Sequence, residues 1–525
     1  MARKKLNLNI ADVENRERRL GTIVTWNGTA SNLVKSSDYE SRGNGERKKC
    51  GSQKGCKLCK DAGPFTQGTS CSGSMVDCQA GMIVDAVLIQ HSPIGCSVVH
   101  TAMNSGYRLG CARRGHPIEN VKTICTNLLE KDMVFGATAK LKQSIKDAYE
   151  RFTPKAIFLA TSCSTAIIGE DVVSIASEAE NQLGIPVIPL SCEGFRAEHW
   201  TTGFDVVQHG ILRQLVKKNP IKQEDLVNVI TLFGTDVFTP IFKELNLRVN
   251  FAIDLTTVES LASLSEAATT ITFCYTLSSY LAAGLEQQFG VPEIKAPQPY
   301  GLSGTDAWLR EIARVTNRVE LAEAYIEKEH KRVTPIIENF RKKFKGIKGY
   351  IATGSAYAHG LITVLRELGI EVNGSMAFHH DPVYDSGDTK QDSLRTLVEG
   401  TGDIASYFVG NRQQFQFYSL LKNEKPDFIF IRHNGLAPLA AKLGVPSICI
   451  SDENSSIGYQ GILNIAETII TVLQRSKFNQ ILKNHSTLPY TDWWLEQDDP
   501  LILTKHPELL DNLKKEKKEW QKVLV

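Results

Sequence analysis

The sequence lacks several features that would assign it to a common class of protein. No apolar run approaches the roughly 18 to 20 residues that span a bilayer, and the charged start Met1–Lys5 has no apolar segment of a secretion signal after it. Lys and Arg (60) nearly balance Asp and Glu (58), so no large field favours nucleic acid or an anionic membrane. These absences predict a soluble cytoplasmic protein.

A phosphate-binding loop of the form G-x-x-x-x-G-K-S/T is also missing, so we expect nucleotide hydrolysis on another chain. What the sequence does have is length and thiols. Its 525 residues can form several cores, and its twelve cysteines would stay reduced in the cytoplasm. Clustered cysteines in that compartment bind metal or perform redox chemistry more often than they form disulfides, so their positions are the most informative feature.

A repeated pattern begins near residue 82, in which a short β-branched run ends at a Gly, Ser or Cys turn and a helical pattern follows. The predicted strands Ala86–Gln90 and Ala156–Ala160, for example, run into the turns that carry Cys96 and Cys163. This alternation is typical of parallel βαβ units. It predicts an α/β protein with three Rossmann-like, doubly wound parallel-sheet domains and sites at the carboxyl ends of the strands.

The same pattern divides the chain into five segments. Breaks are expected near residue 215, before Val216–Pro220, and near 345, after the charged helix Leu321–Lys343. In the last sheet we expect a strand at Ile370–Asn373. We predict a polar, loosely structured N-terminal arm over residues 1–70, Rossmann-like domains over 71–215, 216–345 and 346–480, and a C-terminal helical tail over 481–525.

Four cysteines, Cys96, Cys163, Cys192 and Cys274, follow predicted strands directly. Loops and helix N-termini converge outside the carboxyl ends of parallel strands, and ligands bind there. One such cysteine is often only a small buried hydrophobe. Four at equivalent places predict metal binding at this edge of the sheets.

The segments around Cys71, Cys96 and Cys163 resemble those of nitrogenase component 1, whose subunits each give three cysteines to an interfacial P-type cluster. Glu130–Gly136 adds to the match, and Cys192–Arg196 resembles the α-type subunit rather than the β-type. The resemblance implies an 8Fe-7S cluster shared with a β-like (K-type) partner in an α2β2 heterotetramer. It also implies an ATP-hydrolysing iron protein as the electron donor.

Cys274 resembles the single thiolate with which the α-type subunit holds one end of a large active-site iron–sulfur cofactor. The similarity extends over Cys274–Leu281 and Glu286–Pro292. A thiolate suits iron because it is soft and anionic, and because the metal itself deprotonates it. An inert thiol at a strand end is the alternative.

Positions around that cofactor depart from the nitrogenase pattern. Where the α subunit has a Gln and a His, this sequence has Trp200 and Phe204, and Tyr357 stands at the place of a pocket Arg. With Phe378, these residues would shape the pocket, because aromatic walls exclude water and favour an organic substrate. Ordinary aromatic packing is the alternative for each of them.

The ligand at the far end of the cofactor also differs. Nitrogenases use a His there, whereas the aligned residue is Ser451. Candidate replacements are His433, which follows the predicted strand Phe428–Ile431, and the adjacent His379 and His380. His433 lies near the place where a basic family residue contacts homocitrate, so direct His ligation would go together with loss of that acid. A hydrogen-bonded loop histidine is the alternative for each.

This set of replacements is similar to that of the large (D-type) subunit of methylthio-alkane reductases. The resemblance implies reductive cleavage of the C–S bond of small thioethers to a thiol and a hydrocarbon, on an iron-only cofactor without homocitrate. Three alternatives stay open: a dinitrogen-reducing α subunit, a non-catalytic scaffold for iron–sulfur cofactor assembly, and a tetrapyrrole-reducing relative that binds a large ring in place of a second cluster.

The remaining cysteines give weaker signals. The spacing of Cys56 and Cys59 suits metal capture, but a full zinc site needs a second close pair. We interpret them, with Cys50 and Cys78, as part of an arm without a metal site, and an auxiliary cluster or a redox pair is the alternative. We expect Cys111, Cys125 and Cys449 to be buried.

Overall fold

The computed structural model describes residues 5–16, 19, 23, 25–36, 71–197, 200–231, 234–381, 392–410, 414–432, 434–450, 452, 454–509 and 511–512. His433, Ser451 and three cysteines of the predicted arm, Cys50, Cys56 and Cys59, lie outside these ranges.

Thirteen strands of the described chain form three sheets, in the orders β3-β2-β4-β5, β7-β6-β8 and β1-β11-β10-β9-β12-β13. Neighbouring strands are parallel, except that β1 is antiparallel to β11. The strands are β1 (Trp26–Gly28), β2 (Ala86–Gln90), β3 (Thr123–Cys125), β4 (Ala156–Ala160), β5 (Val187–Leu190), β6 (Gln223–Ile230), β7 (Arg248–Ala252), β8 (Ala267–Thr272), β9 (Gly349–Thr353), β10 (Gly374–Ala377), β11 (Ser406–Val409), β12 (Phe428–Ile431) and β13 (Ser447–Cys449).

Helices connect these strands and cover the sheets. They are α1 (Ala30–Ser36), α2 (Ser72–Ala80), α3 (Val98–Arg114), α4 (Glu130–Phe135), α5 (Thr138–Phe152), α6 (Cys163–Ile168), α7 (Val172–Leu183), α8 (Thr202–Gln214), α9 (Phe238–Glu244), α10 (Val258–Ala262), α11 (Tyr275–Phe289), α12 (Gly301–Thr316), α13 (Val319–Lys343), α14 (Ser355–Glu367), α15 (Ser393–Thr401), α16 (Gln414–Glu424), α17 (Ala437–Lys442), α18 (Gly458–Gln474), α19 (Lys477–His485), α20 (Asp492–Glu496) and α21 (Ile502–Lys505). Among these described helices, none is both long and apolar enough to cross a membrane.

The prediction of an α/β protein built on parallel sheets is confirmed. Strands β2, β4, β5 and β12 have the predicted bounds, and every residue in them is buried. Their near-continuous apolar runs suit parallel strands that are covered on both faces. The hydrophobic cores continue from one sheet to the next, as Phe273 and Tyr357 share one core, so the division at 215 and 345 stays a prediction.

The predicted strand Ile370–Asn373 is wrong. Ile370 and Val372 are buried in the core without belonging to a strand, and the strand that follows is β10, with the sequence Gly-Ser-Met-Ala. Small residues of low β-propensity gave no signal for β10, whose position depends on pairing with β9 and β11.

The N-terminal segment differs from the loosely structured arm that we expected, as far as it is described. Strand β1 pairs with β11 at the edge of the six-stranded sheet, and Leu33 of the following helix is fully buried. Arg16 is also fully buried, because two aspartates from distant parts of the chain contact it. Such long-range pairing has no periodic pattern in the sequence.

A buried ion pair joins the first two sheets. Arg114, at the end of α3, donates to Asp254 just beyond β7, with 2.6 Å between Nη2 and Oδ2. Thr231 donates to the same carboxylate at 2.7 Å, and the guanidinium lies 3.9 Å from the ring centroid of Phe251. Neither charged side chain is more than 4% exposed, so each charge depends on the other for its solvation.

We therefore predict that Asp254→Ala destabilises the protein by about 3–5 kcal/mol, because the Arg114 charge is left buried without its carboxylate. Asp225→Ala is the matched control, since it breaks an ion pair with Arg248 in which both side chains are about half exposed. The control should cost at most about 1 kcal/mol. Thermal unfolding followed by circular dichroism measures the stability of both variants. An equal loss of stability in Asp254→Ala and Asp225→Ala would contradict the prediction.

Candidate functional site

Three of the predicted cysteine ligands, Cys71, Cys96 and Cys163, come together at one surface. Cys71 precedes α2, Cys163 begins α6 after β4, and Cys96 lies in a short helical turn after β2. A methyl group added to Gly194 would stand 3.7 Å from the Sγ atoms of both Cys71 and Cys163. Burial first, and then the Cys71 and Cys163 thiols, raise the pKa of Cys96.

Buried polar side chains hold the cysteine loops in place. His91, just before the Cys96 loop, places Nε2 2.7 Å from the carboxylate of Glu170, which follows α6. Its Nδ1 lies 3.1 Å from the hydroxyl of Thr126, and burial lowers the pKa of this histidine. The contact ties the end of β2 to the segment after Cys163, which gives Glu170 a structural role.

Exposed apolar side chains surround the three sulfurs. They flank Cys96, lie on α6 or on the adjacent α4, or follow Gly194, and each is more than half exposed: Ile94, Val98, Val134, Phe135, Ile167 and Phe195. Cys71 and Cys96 are exposed themselves. Large exposed apolar side chains on neighbouring elements are typical of a protein interface.

The second centre lies inside the protein, around Cys274. This residue follows β8 and precedes α11, and its carbonyl accepts hydrogen bonds from the backbone N–H groups of Leu277 and Ser278. Trp200, Phe204 and Leu277 form a small buried cluster against which Cys274 packs. The rings of Trp200 and Phe204 meet edge to face at 5.7 Å.

His379 reaches the same cluster. Its ring lies edge to face against Trp200, with 5.8 Å between centroids, and its Nδ1 is 3.0 Å from the carboxylate of Asp381. The adjacent His380 is equally buried, and its backbone pairs with Ile23 of the N-terminal segment. The structure therefore brings Trp200, His379 and the Cys274 cluster together.

Two predicted pocket residues belong to larger hydrophobic cores. Tyr357 packs edge to face on Tyr300 at 5.5 Å, and Phe378 belongs to the core around β9, β10 and β11. Their assignment to the pocket wall stays a prediction.

Cys78 is a site residue that the sequence interpretation missed. It lies on α2, seven residues after Cys71, and packs against the Trp200 and Phe204 cluster. Helical periodicity supplies the signal, because residues seven apart lie on one face of a helix. Helix α2 thus links the surface cysteines to the inner cluster. Burial, with the nearby Asp77 carboxylate, raises the pKa of Cys78 to about 12.

The other cysteines fall into two groups. Cys192 is buried behind Cys71, and burial raises the pKa of its thiol, so nothing in its surroundings gives it a ligand role. Cys111 is buried as predicted. The expectation of burial is wrong for Cys449, which is exposed because it ends the edge strand β13, and Cys125 is only partly buried.

The helix crossing that brings the two centres together requires a glycine. A side chain on Gly203, in the first turn of α8, would place its Cβ 2.0 Å from the carbonyl oxygen of Ser72 in α2. Only a residue without a side chain permits this approach, which sets Phe204 against Cys78 and Met75.

The chemistry of the donors fits iron–sulfur groups. Three thiols at one surface point suit a cluster with its own sulfide bridges, and a thiol beside an imidazole suits an iron site. Within the described ranges, no three Cys, His, Asp or Glu side chains converge on a single-ion site.

The sequence profile of the nitrogenase component 1 type oxidoreductases matches residues 71–474 of this chain. The match covers more than half of the chain and includes the surface cysteines and Cys274. The chain belongs to this family.

Particular relatives are of two kinds. The nitrogenase molybdenum-iron protein alpha chain of Methanosarcina barkeri is 32% identical over 306 residues, so that the chain spans 56% of that relative's length. The nitrogenase iron-molybdenum cofactor biosynthesis protein NifE of Methanococcus maripaludis is 28% identical over 407 residues, 74% of this chain and 80% of the relative. A solved structure described as Nitrogenase Cp1 at pH 6.5 has a TM-score of 0.66 at 21% identity, covers 82% of this chain and 92% of its own, and shows the same fold.

We predict that iodoacetamide at pH 8 alkylates Cys71 in the isolated, iron-free chain far faster than Cys78. Cys71 is exposed, whereas a thiol with a pKa of about 12 is ionised in about one molecule in 10,000 at that pH. Peptide mass spectrometry over time checks the order, with urea-unfolded chain as the control in which both react alike. Equal rates in the folded chain would contradict the raised pKa and the partial burial of Cys78.

Proposed function

We propose that this chain is the catalytic α-type subunit of a nitrogenase-like reductase that cleaves C–S bonds of small thioethers such as methylthio-alkanes. A thioether R–S–CH₃ takes up two electrons and two protons and gives a hydrocarbon RH and methanethiol. The observation that carries the proposal is the inner site itself, where Cys274 packs against the buried aromatic pair Trp200 and Phe204. An apolar wall beside an iron-binding thiol suits an organic sulfide.

In this proposal the surface cysteines Cys71, Cys96 and Cys163 hold their half of an 8Fe-7S cluster. A β-like (K-type) partner supplies the other half in an α2β2 heterotetramer, and an ATP-hydrolysing iron protein supplies the electrons. The exposure of Cys71 and Cys96 and the apolar surface around them support a shared cluster. Because these thiols need a reducing compartment, we place the complex in the cytoplasm, in sulfur metabolism.

We propose Cys274 and His379 as the protein ligands of the active-site cofactor, which is iron-only and without homocitrate. His379 is favoured over His380 because its ring contacts Trp200. His433, the third candidate, lies outside the described residues. Such a cofactor supplies the electrons for the cleavage, while the chain positions it and excludes water.

The aromatic side chains would bind the substrate through apolar contact. Trp200 and Phe204 replace the polar pair of nitrogenases, which leaves the described site poor in proton donors for a many-proton reduction such as that of dinitrogen. Tyr357 and Phe378 would complete the wall, and Cys78 would face the same space.

A second candidate function is a scaffold that assembles the cofactor for another enzyme. The similarity to NifE, over 80% of that protein, favours it, because that relative is named as a cofactor biosynthesis protein. Such a scaffold would hold the same clusters without turning over a substrate.

Turnover distinguishes the two functions. With the partner subunit, iron protein and ATP, the complex should release ethane or methane from ethyl methyl sulfide, measured by gas chromatography of the headspace. Cys274→Ala should lower the release at least about 100-fold through loss of the iron ligand. A complex that releases no hydrocarbon, yet transfers its cofactor to a cofactor-free enzyme, would be the scaffold.

Iron content tests the surface cluster separately. Gly194→Ala should remove iron of the shared cluster, because the added methyl stands 3.7 Å from the sulfurs of Cys71 and Cys163 and fills the space between them. Gly400→Ala is the control, since its methyl on α15 meets no atom within 4 Å. Unchanged iron content in Gly194→Ala would argue against a cluster at this place.

A further inference from the structure

Two arginines of the N-terminal segment enter the protein interior beside the inner site. Arg16 donates to Asp205 from Nη2 at 2.7 Å and from Nε at 3.2 Å, and its Nη2 also donates to the carbonyl of Thr276 at 2.8 Å. Arg19 contacts the same carboxylate, and its guanidinium lies 4.8 Å from the ring centroid of Tyr280. Arg16 and Asp205 are completely shielded from solvent.

The network continues to His379 through Asp381. One oxygen of this carboxylate, Oδ2, lies 3.2 Å from Nη1 of Arg16 and 3.0 Å from Nδ1 of His379. His379 in turn packs against Trp200. Asp205 adjoins Phe204 on α8, and Asp381 lies two residues after His379. Through these two aspartates, Arg16 connects two parts of the inner site.

A buried network of this kind is an expensive way to stabilise a fold. Burying several charged side chains stabilises a fold less than burying well-packed apolar side chains of the same volume, because the charges lose their hydration. Stability alone therefore does not explain this network. Charged, hydrogen-bonded side chains hold one another in a fixed orientation, whereas apolar side chains do not. Among the described residues, Asp381 contacts Arg16, which is permanently charged, and His379, which is not.

We propose that Asp381, held in place by Arg16, is a positioning residue that fixes the tautomer and the ring orientation of His379. The negative charge of a carboxylate 3.0 Å from Nδ1 favours the proton on that nitrogen, so that Nε2, on the other side of the ring, would be the atom that engages a bound cofactor. Arg16 then belongs to the active site although it precedes the matched family region. The inference rests on the proposed role of His379 in holding the cofactor.

The test uses the complete complex and three variants. Asp381→Ala removes the carboxylate beside Nδ1 of His379, Arg16→Met removes the group that holds Asp381, and Asp381→Asn keeps an amide oxygen that can face Nδ1. Asp254→Asn is the control, because it disturbs a buried Arg–Asp pair of similar exposure that is remote from His379. Each complex is measured for iron content, for the electron paramagnetic resonance of both clusters, for hydrocarbon release and for melting temperature.

Asp381→Ala and Arg16→Met should change the spectrum of the inner cofactor or lower its occupancy, with hydrocarbon release falling about 10- to 100-fold, while the surface-cluster signal is retained. Asp381→Asn should restore most of the wild-type spectrum. The control should lower only the melting temperature.

A wild-type inner spectrum in Asp381→Ala and Arg16→Met, with only the melting loss of the control, would overturn the positioning role. If Asp381→Ala does not fold, the inner spectrum and melting temperature of Arg16→Met are compared with those of Asp254→Asn, and the same outcome would overturn the positioning role. The spectra also separate this inference from the proposed function: a complex that releases no hydrocarbon but shows the predicted spectral changes refutes thioether cleavage and retains the role of Asp381.

Discussion

The close crossing of α8 over α2 is the constraint on which both centres depend. Gly203 lets the helices approach until its Cα faces the carbonyl of Ser72, directly after Cys71. At one end of the contact α2 begins with a surface thiol, and two turns further it brings Cys78 against Phe204 of α8. A single packing contact therefore sets the relative position of the surface cysteines and the aromatic wall of the inner site.

Cys78, Cys96 and Cys192 are not poised by the protein to ionise. Burial raises the pKa of Cys78, Cys96 and Cys192, and neighbouring carboxylates or thiols act in the same direction. A thiolate at Cys96 therefore has to be stabilised by a bound cation rather than by surrounding dipoles. Metal binding at such a site releases protons, so its affinity rises with pH.

Strands with strong apolar runs and the cysteines after them could be predicted from sequence, because burial and turn chemistry are local. Strand β10 could not, since its small residues carry no β signal and its place is set by its neighbours. The role of Arg16 was invisible for a different reason. Its carboxylate partners lie 189 and 365 residues away, and no local pattern records which charges will meet. Cys78, by contrast, could have been found from its helical spacing to Cys71.

The pairing of β1 with β11 has a consequence for the order in which the protein is made. Trp26 pairs with Val409, so β1 leaves the ribosome long before its partner strand β11 has been synthesised. Contacts this distant in sequence form slowly, and the strand and the arginine near it stay unsatisfied in the meantime. The inner site is thus closed by the beginning of the chain only after most of the chain exists.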